Sequence, residues 1–430
     1  MTMLASNRQT RLSPSIELLI IGVFVLLAGS LWIDMLTGFM SLELHLDLKL
    51  SLLYKMLLIL LIFNLLGAMS SSSTLLLLAL LIGLLIPAVT MFVRFSQQAM
   101  LLQDISAALK LFVPIFALSF FYQLSKYQPQ LLKKWGEIVL WFNFLALNIN
   151  LLVGTFGFGY KSYVIGKNGA GIGVNGYYTA GNELGGVFVL LFTFALARVW
   201  DKKRRFYAPL AILAIVWGLL IATKTAILSA LLLVVFVPLI SERNRLFKLT
   251  PLKLTLFSLS LLFCMFIAFT ILPLLSSLAL WDRFLWIYDN RGLMGLIFSG
   301  REQFSHDLLQ AFFHQFGVLQ WLFGAGISGI GEYVQKVSAE VDFIDVFVWF
   351  GCFGVFVIFV TLFLFGWHSY QGVKLTKSQY APAAFLANTV LLLLTIFSGH
   401  IITSGMLGFI WALLNALVFI DLQQPKKLEY

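Results

Sequence analysis

Three carboxylates stand together where a long apolar run begins: Glu340-Val341-Asp342-Phe343-Ile344-Asp345. In a helix starting here, Asp342 and Asp345 are three apart and share a face. Charge entering a membrane span is costly, so it is usually paired or functional. A carboxylate in partly dry surroundings has its pKa raised toward neutrality and can take a proton from a hydroxyl. The competing use is an acidic first turn that suits the helix dipole. Upstream, Ser299-Gly300-Arg301-Glu302 has the form of a helix start, with Ser299 expected as the cap and Glu302 reaching back to it. A helix N-terminus with an arginine beside it suits phosphate oxygens. It can serve as a phosphate or pyrophosphate site at a membrane surface, or it can rest on headgroups with Arg301 touching lipid phosphate. Glu302, His306, Gln310 and His314 recur every four residues and form one polar stripe on that helix. Arg283 and Arg291 are the other arginines of this stretch. They can join Arg301 in gripping a polyanion, or pair with Asp282, Asp289 and Asp307.

These residues must be positioned by a scaffold that is almost wholly apolar. The chain has 430 residues, 60% of them hydrophobic and 11% charged. A soluble domain is typically about a quarter charged, so a bilayer must replace water around most of this surface. Apolar runs of roughly 17–25 residues recur, the length that crosses a bilayer as a helix. The alternating segments of a membrane β-barrel are missing. The expected fold is an all-α polytopic membrane protein of about twelve transmembrane helices. They are expected near 16–36, 50–69, 74–93, 105–124, 136–156, 184–200, 207–222, 225–240, 254–275, 343–367, 381–398 and 403–420. Residues 1–274 then hold the first nine spans, 275–342 form one large loop containing short helices, and 343–430 hold the last three spans and a tail. A smaller loop, rich in Gly and Tyr, covers 157–183.

Most of the 29 Lys and Arg residues fall in alternate connectors, among them Lys126, Lys133, Lys134, Arg198, Lys202 to Arg205 and Arg243. This bias puts both termini in the cytoplasm and the 275–342 loop outside, in the periplasm. The net charge of +10 is read as this bias and not as affinity for nucleic acid. The first apolar run is long enough to be a permanent span, with no small-residue cleavage site after it. Lys55 and Lys110 fall within spans; Lys110 either snorkels or faces a hydrated cavity. Asn143 and Asn150 share a helix face and suit a polar helix–helix contact. Cys264 and Cys352 read as small core residues. No metal-ligand spacing, nucleophile elbow or Walker loop occurs, so no metal or cofactor is expected. Gly324-Ala325-Gly326-Ile327-Ser328-Gly329 matches GxGxxG but lacks the strand and βαβ unit of a dinucleotide site, and reads as a flexible turn back to the bilayer.

Several landmarks, taken in order, resemble the O-antigen polymerase and ligase superfamily. They are Gly176-Tyr177-Tyr178-Thr179-Ala180-Gly181-Asn182-Glu183-Leu184, Thr223-Lys224-Thr225-Ala226, Ser299-Gly300-Arg301, Leu322-Phe323-Gly324-Ala325-Gly326 and Gly351-Cys352-Phe353-Gly354. The resemblance covers roughly residues 140–365. It implies a glycosyltransferase of the bacterial inner membrane that uses no nucleotide sugar. Glycan moves from an undecaprenyl-pyrophosphate carrier onto an acceptor hydroxyl. Among membrane lipids, this lipid-linked oligosaccharide is the implied partner, and a chain-length regulator and a flippase are possible protein partners. Arg301, Arg283, Arg291 and Lys224 take the pyrophosphate-binding role, and Glu340, Asp342 or Asp345 that of the base. His306, Asn182 and Glu183 are further loop candidates. Ligases of this superfamily carry a His-Asn-type pair where Glu340-Val341 stands here. The acidic form resembles a repeat-unit polymerase more than an O-antigen ligase. A flippase or transporter is a further alternative, though no internal repeat of the kind common in transporters is evident.

Overall fold

The computed structural model describes residues 13–95, 98–165, 170–243, 300–375 and 378–423, with isolated positions between 254 and 295. It is a polytopic, predominantly helical membrane protein. Among the described residues, nine helices are long and apolar enough to cross a bilayer. They are α1 (Pro14–Glu43), α2 (Leu50–Met69), α3 (Ser71–Phe95), α4 (Gln98–Tyr127), α5 (Pro129–Thr155), α6 (Gly181–Lys202), α7 (Tyr207–Ile221, extended to Arg204 by a 3-10 turn), α8 (Lys224–Ser241) and the long helix Asp342–Val373. Two shorter apolar helices, Ala381–Phe397 and Gly408–Gln423, follow. The span expected at 254–275, Cys264 included, lies outside the described residues apart from Leu254 and Ser258. Between Gly300 and Val341 the chain forms three short helices: α9 (Arg301–Gln315), α10 (Val318–Phe323) and α11 (Gly326–Gly331). The three helices after them are therefore α12 (Asp342–Val373), α13 (Ala381–Phe397) and α14 (Gly408–Gln423).

Sequence chemistry sets the helix ends. Pro14 occupies the first turn of α1 and Ser13 caps it, its hydroxyl accepting from Ile16 N at 3.4 Å. Between α7 and α8 the chain turns in two residues: Ala222 takes left-handed angles (φ 59°) and Thr223 caps α8 by accepting from Ala226 N at 3.1 Å. The outer helices expose apolar side chains, such as Leu18, Leu75 and Val93, that a bilayer would cover. Cys352 also lies exposed on α12 and is not a core residue. By contrast α6 and α14 are buried nearly all round and form the centre of the bundle. Asn143 fastens α5 to α1, its Oδ1 accepting from Leu31 N and Ser30 Oγ at 3.2 Å. Asn150 has a different use: it holds the loop before α6, accepting from Tyr177 N at 2.7 Å and donating to Asn175 O at 2.8 Å.

That loop carries a structure not foreseen from its composition, an antiparallel hairpin of Tyr163–Ile165 with Ala170–Ile172, Tyr163 paired to Ile172. Glycine permits its tight course: Gly176 (φ 58°) lies so close to Asn150 that a Cβ would sit 2.3 Å from the Asn150 carbonyl oxygen. The glycines after α10 also differ from expectation, since they form a packed seat instead of a flexible turn. Gly324 lies on the Trp349 carbonyl, Ala325 N donates to Val348 O at 2.9 Å, and Asp104 of α4 accepts from Ser328 N at 3.0 Å. Opposite this seat α12 breaks helical geometry at Gly351 (φ 63°), where the backbone of Leu322 and Phe323 packs.

The last helix begins later than expected. Residues 403–407 are not helical, and α14 starts at Gly408. Left-handed angles at Gly399 and His400 stop α13 from continuing, and the Ser404 hydroxyl accepts from Met406 N and Leu407 N at 3.2 Å. Helices α13 and α14 have 17 and 16 residues. At about 1.5 Å per residue each is shorter than a hydrocarbon core of about 30 Å. The Ser398–Leu407 connection is sunk into the bundle, all of its residues but His400 and Gly405 being buried. Gly405 packs on Lys110, about three turns into α4, and Gly408 packs on Val113 and Pro114.

Candidate functional site

Non-helical backbone at membrane depth is tolerated only where protein or a water-filled cavity satisfies its polar groups. The sunken connection is satisfied by side chains from several separate stretches of sequence, and these include most of the predicted site residues. Arg301 is the first residue of α9. Its Nη1 donates to the Phe397 carbonyl, while Nη2 and Nε donate to Glu340 Oε2 at 3.1 and 3.3 Å. The other Glu340 oxygen accepts from Lys336 Nζ at 2.9 Å. Burial by itself would raise the Glu340 pKa, but the hydrogen bonds and charges of Lys336 and Arg301 outweigh it and hold this carboxyl below its usual range. Glu340 has left-handed backbone angles (φ 57°), and its backbone touches that of Gly399.

Asp342 and Asp345 stand in the first turn of α12, both fully or almost fully buried. The dipole of α12 favours them there, yet neither carboxylate caps its own helix. Asp342 Oδ2 reaches across to the connection and accepts from Ile401 N at 3.0 Å and Ile402 N at 3.1 Å. Its Oδ1 is buried and has no hydrogen-bond partner among the described residues. Asp345 turns back on the chain before it, Oδ1 accepting from Ala339 N at 2.6 Å and Oδ2 from Ser338 Oγ at 2.7 Å. Ser338 Oγ also accepts from Glu340 N at 3.0 Å and lies 3.4 Å from His400 Nε2.

From the other side, the first turn of α6 holds the same connection. Asn182 donates to Ser398 O at 2.8 Å, and Glu183 Oε2 accepts from Ser404 Oγ at 2.7 Å and Met406 N at 3.4 Å. Both residues belong to α6, which begins three residues before the expected 184, and not to the loop. From below, Lys55 Nζ and Lys110 Cε lie 3.7 and 3.3 Å from where a Cβ on Gly405 would stand. Lys55 is paired with Asp34 at 2.5 Å. Lys110 makes no hydrogen bond or ion pair with a described residue, and it turns inward to the connection.

The other predicted residues stand apart. Lys224 opens α8 at the same end of the bundle, exposed, one residue before Thr225, whose Oγ1 faces Gly185 of α6. His306 is exposed on the polar stripe of α9, 3.6 Å from Asp307 and directed away from the core. The capping box takes another form: Gly300 (φ 87°) is the N-cap of α9, with no side-chain cap, and Glu302 is exposed. Ser299, Arg283 and Arg291 lie outside the described residues.

Sequence reading passed over the connection itself, together with His400. The signals were a Ser-Gly-His and a Thr-Ser-Gly step inside an apolar C-terminal region. Among the described residues no group of three His, Cys, Asp or Glu side chains is placed to hold a metal ion. Chemically, the arrangement offers a guanidinium at the rim, a buried carboxylate with a vacant oxygen, and a backbone fixed between them. No protein-family model, curated protein or solved structure matches the chain.

Proposed function

We propose that this protein is a glycosyltransferase of surface-polysaccharide assembly, a repeat-unit polymerase acting on lipid-linked oligosaccharide at the outer face of the membrane. One observation carries the reading. Arg301, Glu340, Asp342, Asn182 and Glu183, drawn from α6, α9 and the start of α12, converge on one sunken connection at one end of the bundle. The ordered resemblance to O-antigen polymerases involves several of the same residues.

In the proposed step an acceptor sugar hydroxyl attacks the anomeric carbon of the donor glycan. The new glycosidic bond forms as the bond from that carbon to the phosphate oxygen breaks, and the pyrophosphate leaves on its polyprenyl carrier. Asp342 is the carboxylate that would take the hydroxyl proton. Both oxygens of Glu340 and of Asp345 already hold donors, whereas Asp342 Oδ1 does not. Arg301 would neutralise the leaving pyrophosphate, a form of charge stabilisation that acts mainly in the transition state. Arriving pyrophosphate competes with Glu340 for the guanidinium, and Lys336 retains Glu340 when the pair opens. Lys224, Arg283 and Arg291 are further cations of the proposed donor site.

The test is the surface-polysaccharide gel of a strain carrying Arg301→Ala at normal protein level. Loss of long polymer, with single repeat units still attached to core, is expected. Polymer of normal length would overturn the assignment of Arg301. In a deletion strain, bare core with polymer retained on the lipid carrier would overturn the polymerase reading in favour of a ligase.

A further inference from the structure

At the end of the bundle opposite the candidate site, a lateral groove of about 490 Å³ is lined by Trp141, Arg198, Val199, Lys202, Lys203 and Phe206. It lies between α5 and the last turns of α6. Along α6, Arg198 lies about 23 Å and the Lys202 mouth of the groove about 30 Å, one bilayer thickness, from Asn182 and Glu183. The groove therefore sits at the other headgroup layer.

Its walls and rim have different chemistry. Trp141 and Phe206 are 36% and 47% exposed, and with Val199 they offer an apolar surface open to the bilayer. Trp141 is held edge-on by Phe144 and Phe194. Lys202 and Lys203 stand exposed at the mouth. Arg198 is 4% exposed, its Nη2 engaged by Glu137 and its Nε without a hydrogen-bond partner among the described residues. Glu137 also approaches Lys202 at 3.5 Å and accepts from Tyr380 OH. Asp201 faces Arg198, Arg204 and Arg243. Lys203 makes no ion pair with a described residue, so the mouth keeps a positive surplus.

We propose that this groove binds an anionic glycerophospholipid, its phosphate at Lys202 and Lys203 and one acyl chain along Val199, Trp141 and Phe206. Charge complementarity selects an anionic headgroup. The apolar walls select a lipid over free phosphate, which would leave them in contact with water. The bound lipid would lie beside the Arg198–Glu137–Tyr380 junction, where α6, α5 and the start of α13 meet. Two of those helices, α6 and α13, lead at their far ends to the candidate site. The lipid is thus a structural cofactor for the helices that carry that site, and this holds whatever reaction the site performs.

The test uses the purified full chain in detergent, titrated with phosphatidylglycerol or phosphatidylcholine and followed by native mass spectrometry. Wild type is expected to prefer phosphatidylglycerol. The Lys202→Gln/Lys203→Gln pair should weaken that binding about thirtyfold, and Lys203→Gln alone about fivefold. Lys126→Gln/Lys374→Gln removes the same charge elsewhere on this face and should leave the preference intact. Lys203→Gln breaks no ion pair to a described residue and keeps the test readable if the double variant fails to fold. Equal binding of the two lipids, undiminished phosphatidylglycerol binding in both lysine variants, or an equal loss in the Lys126/Lys374 control would each overturn the proposal.

Discussion

Helix α13 is held at both ends by a buried aspartate, and the two ends are built differently. At its start, Asp421 Oδ2 accepts from Ser378 Oγ at 2.6 Å, Gln379 N at 2.9 Å and Tyr380 N at 3.0 Å. Among the described residues, the chain there has no left-handed residue. At its end, Asp342 accepts from Ile401 N and Ile402 N, but Gly399, His400 and the facing Glu340 are all left-handed, and Asp342 Oδ1 has no partner among the described residues. Left-handed non-glycine residues cost of order 1 kcal/mol or more each and persist where the surroundings over-determine them. A buried polar atom without a partner costs about 1–3 kcal/mol. A clasp whose only task is to hold helices has no reason to carry both. The start of α13 is therefore read as structural, and the end as strained for use.

The sharpest way to break this comparison is to make the same change at both ends. Asp342→Asn keeps size and one acceptor but removes the proposed base, so polymer extension should fall by about a hundredfold or more while thermal stability changes little. Asp421→Asn should leave polymer length unchanged. Polysaccharide gels and detergent melts of the two strains decide it; normal polymer in Asp342→Asn would place both aspartates in one structural class. Next in size, Asp421→Ala strands three donors and should cost about 3 kcal/mol, read as a clear drop in melting temperature. Gly399→Ala should cost about 2 kcal/mol, because φ is 63° and the new Cβ would lie 2.4 Å from the Glu340 carbonyl carbon. Gly366→Ala, in α12 with open space around it, supplies the contrast and should be neutral or slightly stabilising.

Much of this was legible in the sequence because it follows from hydropathy. Run lengths near twenty residues gave the existence and order of the helices of the N-terminal half, to the residue at α2, while α1 runs seven residues further and α4 and α5 begin seven residues earlier than the apolar runs. The unusual carboxylates at the head of α12 were visible because charge is rare there. Hydropathy, however, measures burial and not helicity. Residues 403–407 are mostly buried without being helical, so they read as the beginning of the last span. Their partner Glu183, and Asp342, Asn182 and Arg301 that hold Ile401, Ser398 and Phe397 just before them, lie tens to hundreds of positions away, and no local pattern reports such pairings. The glycines of 324–329 misled in the same way. Lack of a side chain reads as freedom, whereas here it lets Trp349 and Asp104 approach.

The smallest expected effect concerns the Arg301–Glu340–Lys336 clasp, and its pH dependence separates a closed clasp from a titrating one. Glu340 has its pKa held below the usual range by Lys336 and Arg301, against the upward push of burial. A carboxylate with a lowered folded-state pKa binds fewer protons when folded than when unfolded. Its contribution is therefore complete above the unfolded value of about 4.3 and is lost as pH falls through the folded value. The gap in melting temperature between wild type and Glu340→Gln should be modest, since the pair is partly exposed, and constant from about pH 8 to pH 5. It should shrink only below about pH 4. A wild-type melting temperature that rises relative to Glu340→Gln as pH falls from about 7 to 5 would mean that Glu340 itself takes up a proton near neutrality in the folded protein. The base assigned to Asp342 would then belong to Glu340, and the strained end of α13 would serve to aim that residue instead.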